Sequence, residues 1–349
     1  MIRAGIIGST GYAGAEIARL LANREDVEII HYGSRSYAGK PFVSEYGNLR
    51  GFTEENCGED DIEALSEKAD VIFTATPQGY LAKALSQQLL DRCRFIDLSA
   101  DFRLRDPAVY EQWYKLEAAP EELLSKAVYG LCELYREDIK KTRLVANPGC
   151  YTTCSILTIQ PLLKSGVIKT SSIIIDAKSG VSGAGRGGKV ANLFCEVNES
   201  VKAYGVGTHR HTPEIEQELS IAAGEKIILN FTPHLIPMQR GILITAYAEL
   251  ADREKLPSWE ELEEIYQAAY GQEPFIRLLP KGVCPETRFV EGSNFLDINF
   301  VVDERTGRVI MMGALDNLVK GAAGQAVQNM NLLFGIPETK GLLSPAMFP

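Results

Sequence analysis

The chain has 349 residues, 45% hydrophobic and 23% charged, with 31 glycines and 16 prolines spread along its length. At about 150 residues per domain this is a little over two domains' worth, which excludes a single small module, and the composition excludes disorder and fibrous repeats. A formal charge of −10, with like charges never gathered into a block, excludes nucleic acid and an anionic membrane surface as partners.

The first third alternates strand and helix signals. Ile2 to Gly8 is a short apolar run, Gly11 to Asn23 has helical spacing through Ile17, Leu20 and Leu21, and Val27 to Tyr32 is apolar and β-branched. This is a βαβ unit, the start of a parallel sheet. Further strands are expected at Val71 to Ala75, Phe95 to Leu98 and Leu144 to Ala146, with helices over Tyr80 to Leu90 and the Glu111 to Leu124 region. The pattern predicts a Rossmann-type, doubly wound α/β domain ending near residue 148.

Beyond it, Tyr151 to Lys164 reads as a helix that Pro161 should kink. Strands are expected at Ile173 to Ala177, Ile227 to Phe231, Ile242 to Leu250 and Leu296 to Val302, the last joined by a turn over Asp303 to Gly307 to Val309 to Met312. Ser258-Trp259-Glu260-Glu261 is a capping box opening a helix to about Tyr270. Successive strands with short turns predict an α+β domain with a mixed or antiparallel sheet. A long helical stretch, Asp316 to Phe334, closes the pattern and carries the small residues Gly321-Ala322-Ala323-Gly324. No apolar run approaches the roughly 18 residues of a membrane-spanning helix, and Met1 to Gly5 has no signal-peptide core, so a cytoplasmic protein is expected.

Seven cysteines, without a C-x-x-C pair, give neither a disulfide framework nor zinc spacing, and no metal is expected. One has a reactive setting. Asn147-Pro148-Gly149-Cys150-Tyr151 is a turn running into a helix, which brings the Cys150 sulfur to the positive helix end and favours thiolate. Cys154, a turn later beside Ile156 and Leu157, reads as core; Cys57, Cys93, Cys132, Cys195 and Cys284 read as structural.

Gly207-Thr208-His209-Arg210-His211-Thr212-Pro213-Glu214 holds two of the four histidines ahead of a helix with Thr212 as N-cap and Pro213 as first residue. Crowded cations repel a bound proton, so at least one imidazole should be neutral near pH 7 and able to serve as base for a thiol. Proximity to the helix start favours His211, and spacing leaves His209 open. Lys178 to Arg186 is a glycine and serine loop with a cation at each end, suited to phosphate or carboxylate. Gly8-Ser9-Thr10-Gly11-Tyr12-Ala13-Gly14, between a strand and a helix, suits a pyrophosphate. At the end of the second strand, where a carboxylate would favour NAD(H), stand Gly33-Ser34-Arg35-Ser36, a set favouring the 2′-phosphate of NADP(H).

Together these segments resemble the N-acetyl-γ-glutamyl-phosphate reductases, NADPH-dependent enzymes of arginine biosynthesis in the aspartate-semialdehyde-dehydrogenase-like superfamily. The resemblance is near full length. It also rests on Asp97 to Arg103, Val128 to Leu131, Asp176 to Arg186, Pro233 to Gly241 and Asp316 to Ala326; Cys132 and Thr152 depart from it, standing where the family more often has proline. The resemblance implies reduction of N-acetyl-γ-glutamyl phosphate to N-acetyl-glutamate semialdehyde, with release of phosphate, through a Cys150 thioester with His211 or His209 as base. It implies an NADP-binding domain of residues 1–148 and 316–349 around a catalytic and dimerisation domain of 149–315, in a homotetramer. Cofactor contacts are expected from Gly8, Ser9, Thr10, Gly11, Tyr12, Ala13, Gly14, Ser34, Arg35, Ser36, Pro77, Gly180 and Asn317. Substrate contacts are expected from Arg103, Asn147, Ser182, Arg186, Arg210, Glu214 and Arg240. Rival readings are a carrier-linked aminoadipyl-phosphate reductase of lysine biosynthesis, an aspartate-semialdehyde dehydrogenase, and a non-catalytic NADP(H)-binding sensor.

Overall fold

Short apolar runs separated by glycine turns and amphipathic helices fold the first third of the chain into a parallel sheet. The computed structural model describes residues 1–348. In it the chain divides into two compact units, unit 1 of Met1–Gly149 with Ala322–Ser344 and unit 2 of Cys150–Gly321 with Pro345–Pro349. Residues 316–321, grouped with the N-terminal part in the sequence reading, thus cluster with unit 2.

Unit 1 is built on strands β1 (Ile2–Ile7), β2 (Val27–Gly33), β3 (Cys57–Gly58), β4 (Val71–Thr74), β5 (Arg94–Asp97), β6 (Ala127–Tyr129) and β7 (Leu144–Ala146). All pair in parallel, in the order β3-β2-β1-β4-β5-β7-β6. The chain turns outward in opposite directions from β1 and β4, and this switch point opens a crevice at the carboxyl ends of the strands. β1, β4, β5 and β7 are buried almost throughout, as strands covered by helices on both faces must be.

Two expected helices are each broken. Tyr80 to Leu90 is Tyr80–Ala84 and Gln87–Arg92, because the Ser86 hydroxyl caps a new start. The Glu111 to Leu124 region is Pro107–Tyr114, ended by Lys115 in the left-handed conformation, then Glu121–Leu124. The returning helix Gly324–Leu333 is buried on every side. Its polar residues reach back into unit 1: Gln325 and Asn329 each donate to the Gly130 carbonyl at 2.8 Å, and Arg24 donates to Asn331 and to the Lys340 carbonyl. Cys132, one of the two departures from the family pattern, donates from its thiol to Asn329 and accepts from Gln325.

Unit 2 holds β8 (Ile174–Ser179), β9 (Lys202–Ala203), β10 (Asn230–Leu235), β11 (Ile242–Glu249), β12 (Ile276–Leu278), β13 (Leu296–Asp303) and β14 (Arg308–Leu315). The order is β12-β13-β14-β11-β8-β10-β9, with β12/β13 and β8/β10 parallel and the rest antiparallel. β11 alternates buried and half-buried residues, the pattern of a sheet covered closely on one face. Over that face runs the helix Cys150–Lys164, which continues through Pro161. Its neighbour Trp259–Tyr270 opens with the expected capping box, and the Tyr266 hydroxyl donates to the Thr158 carbonyl. β10 starts at Asn230 rather than Ile227. The last helical stretch begins not as an α-helix at Asp316 but as a π-helical turn, Val319–Ala323. Among the described residues no helix is long and apolar enough to cross a membrane.

Candidate active site

Cys150 is the first residue of its helix and the first of unit 2. The N–H dipoles of a helix start favour negative charge there, and the thiol is half-buried. Gly321 lies directly against it: a Cβ built on Gly321 would stand 2.7 Å from the Cys150 Cβ. The start of the Cys150 helix therefore packs against Gly321 at a distance that a side chain there would not allow. Cys154 is fully buried, and burial pushes its thiol up, away from thiolate. Of the others, Cys195 and Cys284 are exposed rather than packed.

Tyr151 organises the next layer. Its buried ring meets His209, His211 and Phe231 edge-on, with centroids 5.7, 6.0 and 5.3 Å away. Its hydroxyl donates to the His234 carbonyl and receives the Tyr204 hydroxyl at 3.2 Å. Burial pushes the Tyr204 phenol up to about 12, so both phenols stay protonated at neutral pH.

The two imidazoles are 4.9 Å apart, centroid to centroid. The helix Thr212–Ala223 already begins at Thr212, so His211, not Thr212, is its N-cap, with a near-helical backbone and no side-chain cap bond. His209 has a depressed pKa, held down to about 3 by burial, then by the charges of His211 and Arg210. His209 Nδ1 accepts the His211 backbone N–H at 3.1 Å, so the ring proton of neutral His209 sits on Nε2. Thr152, the second departure, donates to the fully buried Glu214 at 2.9 Å. That bond joins the helix of Cys150 to the helix of His211. Glu214 is accordingly a buried support in this geometry.

The glycine loop is anchored at its start. Gly180 and Val181 donate to the carbonyls of Gly241 and Met238, and Asn317 donates to Ser182 Oγ while accepting the Gly241 N–H. Arg240 reaches the buried Asp316 at 3.4 Å. Arg186 and Arg210 are exposed.

In unit 1 the expected dinucleotide loop follows β1. Gly8 has φ +78°, and a Cβ on Gly14 would collide with the Gly8 carbonyl, so backbone packs on backbone where the helix Tyr12–Leu21 begins. Ser9 Oγ donates to the Gly33 carbonyl, and Thr10 and Ser34 share a hydrogen bond at 2.7 Å. These ties fix the loop to the end of β2, while Arg35, Ser36 and Pro77 are exposed. Close backbone approach, free helix-start donors and an exposed arginine beside two hydroxyls fit a phosphorylated dinucleotide. Arg103 and Asn147 serve the frame. Arg103 donates to the Asn147 and Leu98 carbonyls, and the buried Asn147 amide donates to the Ala322 carbonyl and accepts from Asn329.

Sequence reasoning assigned no role to Tyr151, Thr152, Tyr204, Asp316 or Gly321. Tyr151 stood in the Asn147 to Tyr151 run, Thr152 was marked as a departure, and Asp316 and Gly321 lay in the Asp316 to Ala326 run; Tyr204 carried no signal and becomes a neighbour of the site through long-range folding.

Two family models cover most of the chain: a semialdehyde dehydrogenase NAD binding domain over residues 3–142 and a semialdehyde dehydrogenase dimerisation domain over 150–317. Among solved structures, aspartate semialdehyde dehydrogenase II from Vibrio cholerae, complexed with ASA, has the same fold, with TM-score 0.72 and 16% identity over 96% of this chain and 98% of that one. Much nearer in sequence are two proteins named N-acetyl-gamma-glutamyl-phosphate reductase. That of Lachnoclostridium phytofermentans is 60% identical over the whole of both chains, and that of Campylobacter jejuni subsp. jejuni serotype O:6 is 57% identical over 98% of each. The chain belongs to the N-acetyl-gamma-glutamyl-phosphate reductase family.

Proposed function

We propose that the protein reduces N-acetyl-γ-glutamyl phosphate to N-acetyl-glutamate semialdehyde, with release of phosphate and NADPH as reductant, in arginine biosynthesis. The observation that carries this reading is a half-buried thiol at a helix start, with two imidazoles packed on the adjacent Tyr151. The Cys150 thiolate attacks the acyl carbon, the C–O bond to phosphate breaks, and a thioester forms on the enzyme. His209 presents Nε2–H and has Nδ1 engaged by backbone, which leaves His211 to take the thiol proton. When bound, the nicotinamide supplies a hydride to the thioester carbon. His211 gives its proton to the thiohemiacetal oxygen and takes it back as the C–S bond breaks, which frees the aldehyde and restores the thiolate. Gly8 to Gly14, Ser34 and Arg35 would hold the dinucleotide. Ser182, Arg186, Arg210 and Arg240 are the residues proposed to receive substrate anions, with Gly180 and Asn317 shaping the loop. The same reading takes the protein as a cytoplasmic homotetramer, a state that light scattering on the purified chain measures directly.

The reverse reaction tests the chemistry. With NADP+, phosphate and N-acetyl-glutamate semialdehyde, NADPH absorbance should rise and depend on phosphate. Activity only with another semialdehyde, or without phosphate, overturns the reading.

A further inference from the structure

The end of β2 offers no carboxylate of its own, yet a carboxylate stands there. β3 pairs with β2 through Tyr32 with Cys57 and Gly33 with Gly58. Two residues past β3, Asp60 folds back so that its Oδ1 fills the place where a Cβ on Gly33 would be. The side chain is only 8% exposed, and Oδ1 has no hydrogen-bond partner. Asp60 Oδ2 lies 3.5 Å from Arg35 Nε, whose guanidinium rests over the Tyr80 ring at 5.1 Å and is 70% exposed. Ser34, between these groups and the glycine loop, donates its N–H to the Gly58 carbonyl and shares its hydroxyl with Thr10. Oδ1 is closed off from solvent, so what the carboxylate presents outward is its charge.

We propose that Asp60 sets the choice between NADP(H) and NAD(H). Its charge opposes a 2′-phosphate and, through Oδ2, draws Arg35 away from it, while a cofactor with a free 2′-hydroxyl meets neither effect. The inference rests on the cofactor reading above and extends it: a residue outside β2 limits the preference for NADP(H). A sequence search for the discriminating carboxylate ends at Ser34-Arg35 and misses Asp60, because strand pairing brings it there.

Titration calorimetry with NADP+, NAD+ and 2′,5′-ADP on wild type, Asp60→Asn and Arg35→Met tests this without turnover. Asp60→Asn should lower the Kd for NADP+ and 2′,5′-ADP about two- to fivefold, the range of a partly exposed ion pair, and leave the Kd for NAD+ unchanged. Arg35→Met should move the ratio the other way. Asp60→Ser, with the melting temperature checked for each variant, gives a second readout and should share the direction of Asp60→Asn. An unchanged NADP+ to NAD+ ratio in both Asp60 variants overturns the inference alone. Failure of the wild type to bind NADP+ overturns the cofactor reading and the inference with it.

Discussion

The two candidate sites are made of different material. The loop after β1 works through backbone: its glycines let main chain pack on main chain, and its hydrogen bonds run to carbonyls and hydroxyls. The centre around Cys150 works through side chains, a thiol, two imidazoles and two phenols gathered from segments more than fifty residues apart in sequence. A backbone site is specified by a short local run, whereas a side-chain site exists only after the sheet and helices have folded. Each responds to its own kind of damage.

Cys150→Ser should separate the two most sharply. Turnover should fall by about 10⁴-fold or more, while calorimetry shows NADP+ binding unchanged; appreciable remaining turnover would falsify the covalent route. His211→Asn comes next, with an expected loss of about 10² to 10⁴ in kcat. His209→Asn should chiefly raise KM, and equal small effects from both variants would remove the base assignment. Gly321→Ala should cost about 10²-fold in kcat, because the added methyl must displace the nucleophile and a shift of about 1 Å is enough for that. A variant with normal kcat would show that the helix start yields freely. Thr152→Val leaves the buried Glu214 without one donor and should destabilise the protein by about 1–3 kcal/mol, as read by denaturant unfolding.

The smallest effect is a difference of sign with pH. His209 falls from the usual 6.5 to about 3 on folding, so the unfolded chain binds the extra proton between those values. Its contribution to stability is full above pH 6.5 and is lost as pH falls through that window. Asp97 in unit 1 goes the other way. Burial, then repulsion from Asp101, raises its carboxyl from 3.8 to about 6, so the folded state holds the extra proton and stability is lost as pH rises from about 4 to 6. Asp97→Asn should flatten the second slope and His209→Asn the first, in melting temperatures measured from pH 4 to 7. Identical pH profiles for wild type and both variants would contradict the burial that sets these shifts.

Much of the fold was legible because long apolar strands and amphipathic helices carry their own periodicity. β3 and β6, two and three residues long, are too short to show any, and pairing with β2 and β7 defines them. The break at Ser86 was hidden because its cap acts through one hydroxyl inside an otherwise helical pattern. At the site, Cys150 and the histidine pair stood out through local setting. Tyr204 and Asp60 gave no local sign, and Gly321 only that of a small residue in a helical run, since what they do depends on partners far along the chain.

The return of the helix Gly324–Leu333 has a consequence for synthesis. The Gly130 carbonyl, the Cys132 thiol and Arg24 are made early, but Gln325, Asn329, Asn331 and the Lys340 carbonyl leave the ribosome roughly 200 residues after unit 1's last strand, about 10 to 40 s later at ordinary rates. During that interval the nascent parallel sheet stands without one of its covering helices while Cys150–Gly321 of unit 2 is being made. The N-terminal unit is therefore completed only after the body of the second has left the ribosome.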